Sequence, residues 1–194
     1  MFEKYTLKQT TESNYCGGYA LAAIINDKTK DAEDVPDGKA VYDTLIAKQH
    51  SDTIKNHFSS FYKDSSQGAM TLPSSLVTEA KMLWSDKEIK VTISSAFLKS
   101  NAGLCHFEML NITDYAEIKI KKSEPLKDHI DKKGYYLLVV NEGKHWVAMG
   151  RDTSGLYMYE PATGQSGKPV MTENNLFSLD GKNYTWSGVI IRIS

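Results

Sequence analysis

The sequence predicts an α+β protein in which helices come first and a mostly antiparallel sheet comes last. Three observations carry this. From Cys16 to about Trp84, apolar residues recur at helical spacing. From Ile89 onward, segments of period two and high β propensity dominate. The segments after residue 134 are joined by EGK and RDTSG, which are turn-sized and contain a glycine, so the strands they join must be antiparallel. The 194 residues suit one domain, read here as a mainly helical lobe at 1–88 and a mainly β lobe at 89–194.

CGGYALAAIIN, from Cys16, is apolar on nearly all sides and reads as a helix buried in the interior, with Ser13 and Asn14 as N-cap candidates. Residues 31–38 carry Pro36 and Gly38 and read as a loop before a helix at 39–49. SDTIKNHFSSFY (51–62) places Ile54, Phe58, Phe61 and Tyr62 at helical spacing behind Ser51. LPSSLVTEAKMLW (72–84) has Pro73 in its first turn and Leu76, Ala80, Leu83 and Trp84 on one stripe. IKVTI (89–93) alternates as a strand, and HFEMLNI (106–112) reads as a weaker strand. EPLKDHIDKKG (124–134) reads as a short helix between Pro125 and Gly134. YYLLVVN (135–141), HWVAMG (145–150), LYMYE (156–160) and YTWSGVIIRIS (184–194) are the densest strand signals.

With 23 Lys and Arg against 24 Asp and Glu, the net charge of −1 gives no general drive toward nucleic acid or an anionic membrane. The KIKK run at 119–122 reads as a solvated strand or loop face. No apolar run approaches the roughly 20 residues that span a bilayer, and MFEKYTLKQTTESNY has no signal-peptide pattern. The expected location is therefore cytoplasmic as synthesised, with export by a route that reads no cleaved signal still compatible. Two cysteines, Cys16 and Cys105, exclude a disulfide scaffold and a four-cysteine zinc site. No metal-ligand spacing and no phosphate-binding glycine loop is present, so no cofactor and no metal is expected.

Cys16 falls at the first turn of an apolar helix, where the positive end of the dipole favours ionisation of a thiol. Gly17 and Gly18 follow, each costing the helix roughly 1 kcal/mol against alanine, and close approach of a substrate backbone to the sulfur would explain them. The bland alternative for Cys16 is a small core residue. His145 opens a strand beside a turn, a position at a sheet rim. His50, His57 and His129 fall in polar helical stretches and read as solvated. Cys105 and His106 are strand neighbours that point to opposite faces, so they do not pair, and Cys105 reads as interior. Glu160 ends the strand that follows the His145 strand, so a hairpin returns its carboxylate beside the imidazole. Gln9, just upstream of Cys16, is placed to donate to an oxyanion together with the Cys16 N–H.

These residues resemble the papain-like (clan CA) cysteine peptidases, in particular compact bacterial members: bacteriocin-leader-processing peptidase domains and papain-like effector proteases. The pattern is Gln9, then Asn14-Tyr15-Cys16-Gly17, then Gly143-Lys144-His145-Trp146-Val147, then Tyr159-Glu160-Pro161. Gln9 stands one position farther from the cysteine than in those relatives, Glu160 stands where Asp or Asn is commoner, and residues 27–134 carry no shared motif. The resemblance implies a papain-like fold and a Cys16–His145–Glu160 triad that hydrolyses peptide bonds of a protein or peptide substrate through a thioester. The same triad could instead serve an amidase, deamidase or transglutaminase acting as a bacterial effector or toxin. A third reading is a catalytically silent module that binds protein through Tyr15, Tyr19, Tyr157 and Tyr159. Trp146 reads as core packing. Oligomeric state is left open.

Overall fold

A computed structural model describes residues 1–29, 34–49, 68–122, 125–172 and 175–194. Its elements run α1 (Cys16–Lys28), α2 (Gly38–Lys48), α3 (Pro73–Leu83), β1 (Ile89–Ser94), α4 (Ser95–Ser100), α5 (Ala102–Ile112), β2 (Glu117–Lys121) and a 3-10 turn (Leu126–Asp128). Then come β3 (Gly134–Val140), β4 (His145–Asp152), β5 (Gly155–Glu160), β6 (Gln165–Gly167), β7 (Val170–Met171), β8 (Leu176–Leu179) and β9 (Lys182–Ile193). The chain is of the α+β class. The sheet order is β2-β1-β9-β3-β4-β5-β6, with β8 joining β9 and β7 joining β8. The β1–β2 pair is parallel and the other described pairs are antiparallel.

The central strands are apolar on both faces because both faces are covered. Leu137 and Val139 of β3, Trp146 and Ala148 of β4, and Val189, Ile191 and Ile193 of β9 join the core that contains α1. Their alternates Tyr136, Leu138, Val140, Val147, Met149 and Ile190 join a second core with Phe177, Leu179, Tyr184 and Trp186. β9 reaches both regions: Lys182–Thr185 pair with β8, and Val189–Ile193 pair with β1. It bends at Gly188 (φ +109°), where a Cβ would stand 2.3 Å from Ser94 Oγ. Helix α1 is buried from Cys16 through Ile24, as its uniformly apolar sequence requires.

Several expectations need correction. Residues 106–112 belong to helix α5, not to a strand. Leu104, Glu108 and Ile112 form its buried stripe at helical spacing, and the glutamate in that stripe hides the period from the sequence. Glu108 is buried because it caps α3, whose own cap residue Leu72 has no polar side chain: the Ser74 N–H (2.6 Å) and hydroxyl (3.0 Å) both donate to its carboxylate. Among the described residues of the expected 124–134 helix, only Leu126–Asp128 is helical, as a 3-10 turn, and Gly134 opens β3 instead of ending a helix. Helices α4 and α5 lie at 95–112, so helical structure continues past residue 88. Tyr159 is fully buried and Tyr19 nearly so, which removes both from any recognition surface. His129 is half-buried, with its ring 5.1 Å from that of Trp186. The expected helix at 51–62, with His50 and His57, lies outside the described residues.

Candidate active site

Three element ends meet here. Cys16 is the first residue of α1, His145 the first of β4 and Glu160 the last of β5. The β4–β5 ladder pairs Ala148 with Tyr159 and Met149 with Met158. Continued by one step, that register sets Glu160 opposite Val147, so His145 lies diagonally from it. A diagonal cross-strand gap is roughly 7–8 Å and needs long side chains, which accounts for a glutamate here. His145 Nε2 and Glu160 Oε1 are 2.6 Å apart. That contact leaves Nδ1 as the free nitrogen of the ring, and the Cys16 thiol is near enough to favour the imidazolium.

The electrostatics follow from these contacts. Burial disfavours the imidazolium, but Cys16 and Glu160 outweigh it and raise the pKa of His145 to about 10. Glu160 is only 1% exposed, which works against its charge, yet His145, the Tyr184 hydroxyl and the Ala162 N–H hold its carboxyl down at about 2. The Ala162 N–H donates to Oε1 at 2.9 Å, and Lys182 Nζ stands 3.6 Å from Oε2.

His145 is aimed by a left-handed turn. Asn141, Glu142 and Gly143 have φ of +54°, +62° and +85°. This conformation is costly for the first two, and β9 holds it: Asn141 N–H donates to Thr185 O (2.8 Å) and Gly143 N–H to Ser187 Oγ (2.8 Å).

The nucleophile end differs from expectation in two ways. Neither Ser13 nor Asn14 caps α1: the Ser13 hydroxyl donates to Thr10 O and the Asn14 amide to Gly68 O, while Tyr15 occupies the cap position with no side-chain bond. The first-turn amides beside Cys16 thus have no side-chain acceptor, which suits them to an incoming oxyanion. Gly17 and Gly18 are explained by packing inside the protein, not by a substrate. A Cβ on Gly17 would lie 2.6 Å from Thr71 Cβ, and one on Gly18 would lie 2.5 Å from Gly38 O.

Gln9 lies in the segment leading to α1. Its N–H donates to Pro161 O at 2.9 Å, next to Glu160, and its side-chain amide donates to Ser13 O at 3.2 Å. Trp146 is buried, and its indole N–H donates to Thr71 O at 2.9 Å, as core packing requires. Cys105 is buried on α5, where burial first and Glu108 second push its thiol up to about 11, an unreactive setting. Lys182 and Tyr184, both near Glu160, were not found from the sequence. Lys182 precedes and Tyr184 opens the 184–194 strand signal, at no fixed spacing from Glu160, and the β8–β9 hairpin brings them to it.

Among the described residues, no helix is long and apolar enough to cross a membrane. No protein-family model and no curated protein matches the chain.

Proposed function

We propose that this protein is a papain-like cysteine peptidase that uses Cys16, His145 and Glu160. The observation that carries the reading is one imidazole held at 2.6 Å by a buried carboxylate, with the thiol of Cys16 at the start of α1 near enough to favour its charged form. Three separate element ends supply these groups, which is the arrangement nucleophilic acyl transfer needs.

His145 takes the Cys16 proton, and Glu160 stabilises the imidazolium that results. The thiolate attacks an amide carbonyl of a protein or peptide. The oxyanion is received by the Cys16 N–H, with Gln9 as a second donor. His145 then protonates the leaving amine, and water, deprotonated by the same imidazole, hydrolyses the thioester.

The test is alkylation of the folded protein with iodoacetamide near pH 6, followed by mass mapping. Cys16 is expected to react quickly and Cys105 hardly at all, and His145→Ala should abolish the selectivity. Equal, slow reaction of both thiols in the folded chain would overturn the reading.

A further inference from the structure

We infer that a cavity next to the His145 turn binds an alkylammonium group, the chemistry of a lysine side chain, with Glu108 as the carboxylate that receives the charge. The inference goes beyond the peptidase reading and does not need it.

The cavity lies between α5, the start of α3 and the covered face of the sheet, and has a volume of about 70 Å³. Val91, Ile93, Val139 and Val189 line it from the sheet, and Leu104 and Ile112 from α5. Exposed Glu142 and its neighbour Gly143 also line it, so it reaches solvent at the turn that precedes His145. An apolar cavity of about 150 Å³ holds benzene, so this one has room for a chain of about four carbons.

Glu108 lies in these walls with only 3% of its surface exposed. Each of its oxygens accepts one hydrogen bond from Ser74. A carboxylate has about four acceptor sites, so capping α3 leaves acceptor capacity unused. Among the described residues no Lys, Arg or His pairs with it, and burial therefore raises its carboxyl to about 7. A neutral chain entering the cavity would strip water from this carboxyl and return nothing. An ammonium at the end of the same chain supplies both the missing charge and the missing donors, while the apolar walls take the methylene stem.

An NMR titration of the full chain tests this with two ligands of one shape, n-butylammonium chloride and n-butanol. The reporter is the indole N–H of Trp146, which also lines the cavity. At pH 8.5 and matched ionic strength, n-butylammonium should bind at least about tenfold more tightly, the size of one charge-assisted hydrogen bond. In Glu108→Gln, n-butanol should bind as before and the preference should vanish. If that variant does not fold, the native chain carries the same test: lowering the pH from 8.5 to 5 protonates Glu108 and should remove the preference. The other titratable groups that line the cavity change little in that window. Cys105 is pushed up to about 11, and Lys144 holds Glu142 below the usual carboxylate range. The sheet, α3 and α4 present no charged group to it among the described residues. Nα-acetyl-lysine methylamide separates the two sources of this chemistry. Tighter binding than n-butylammonium assigns the cavity to a lysine of a peptide, and weaker binding assigns it to a free amine. Equal affinities of n-butylammonium and n-butanol at pH 8.5, or no saturable shift with either, would overturn the inference. Cys16 takes no part in the measurement, so the outcome is separate from that of the alkylation test.

Discussion

Replacing Glu160 by glutamine removes one charge at almost constant shape, so its effect is calculable. Oε1 still has the Ala162 N–H to accept, which turns the new amide nitrogen toward Lys182. The charge centres of the imidazolium and carboxylate lie about 4 Å apart, and at an effective dielectric constant of about 20 the Coulomb attraction is about 4 kcal/mol. Desolvation of both groups offsets part of this, and the net loss is taken as one hydrogen bond between charged partners, about 1.5–3 kcal/mol. At about 1.4 kcal/mol per pH unit, the His145 midpoint should fall by about 1–2 units from its raised value. The population of the thiolate–imidazolium pair should fall in proportion, about 10- to 100-fold. The assay is the second-order rate of Cys16 alkylation from pH 4 to 9, with His145 followed by ring-proton NMR. An unchanged rate at pH 6 together with an unchanged His145 midpoint would refute the reasoning.

Glu142 holds φ +62° in the turn before His145, so Glu142→Gly should stabilise the fold by about 0.5 kcal/mol in urea unfolding, the relief of strain exceeding the added chain entropy. Gly17→Ala should destabilise by about 1–3 kcal/mol because the new methyl meets Thr71, and thermal unfolding should register this without any substrate present. Burial is the main reason the Glu108 carboxyl is raised to about 7. Its folded form therefore binds a proton more tightly than its unfolded form, and stability should drop as pH rises from about 4.5 to 7. Glu108→Gln should flatten that drop in urea titrations at pH 5 and 7.5. The active-site pair works in the opposite directions. The depressed Glu160 contributes stability that is present above about 4.5 and lost as pH falls toward 2, and the raised His145 contributes stability that is present below about 6.5 and lost as pH rises toward 10.

What the sequence revealed was mostly local. The β3–β4–β5 meander announces itself through dense β signals and short turns, and because His145 and Glu160 sit at the two ends of one hairpin, their pairing follows from counting. Helix α1 is legible for a similar reason, since no amphipathic alternative fits an all-apolar run. Features decided by distant partners were hidden. Helix α5 carries a carboxylate on its buried stripe only because α3, some thirty residues earlier, needs a cap there. The glycines after Cys16 read as room for close approach of a substrate backbone to the sulfur and are instead dictated by Thr71 and by Gly38 of α2. The second core, with Tyr184, depends on a strand that serves two pairing regions at once, which no local period encodes.

The three element ends that meet at His145 also differ in how far apart they are along the chain, and this has a kinetic meaning. His145 and Glu160 are 15 positions apart, a contact that a single meander can close locally. The thiol comes from the other end of the sequence and reaches the ring through the packing of α1 on β4, a non-local contact whose closure costs more chain entropy than the hairpin. A half-folded chain would hold a paired histidine and no nucleophile beside it. On the proposed reading, fast alkylation of Cys16 should therefore emerge only once α1 has docked on β4.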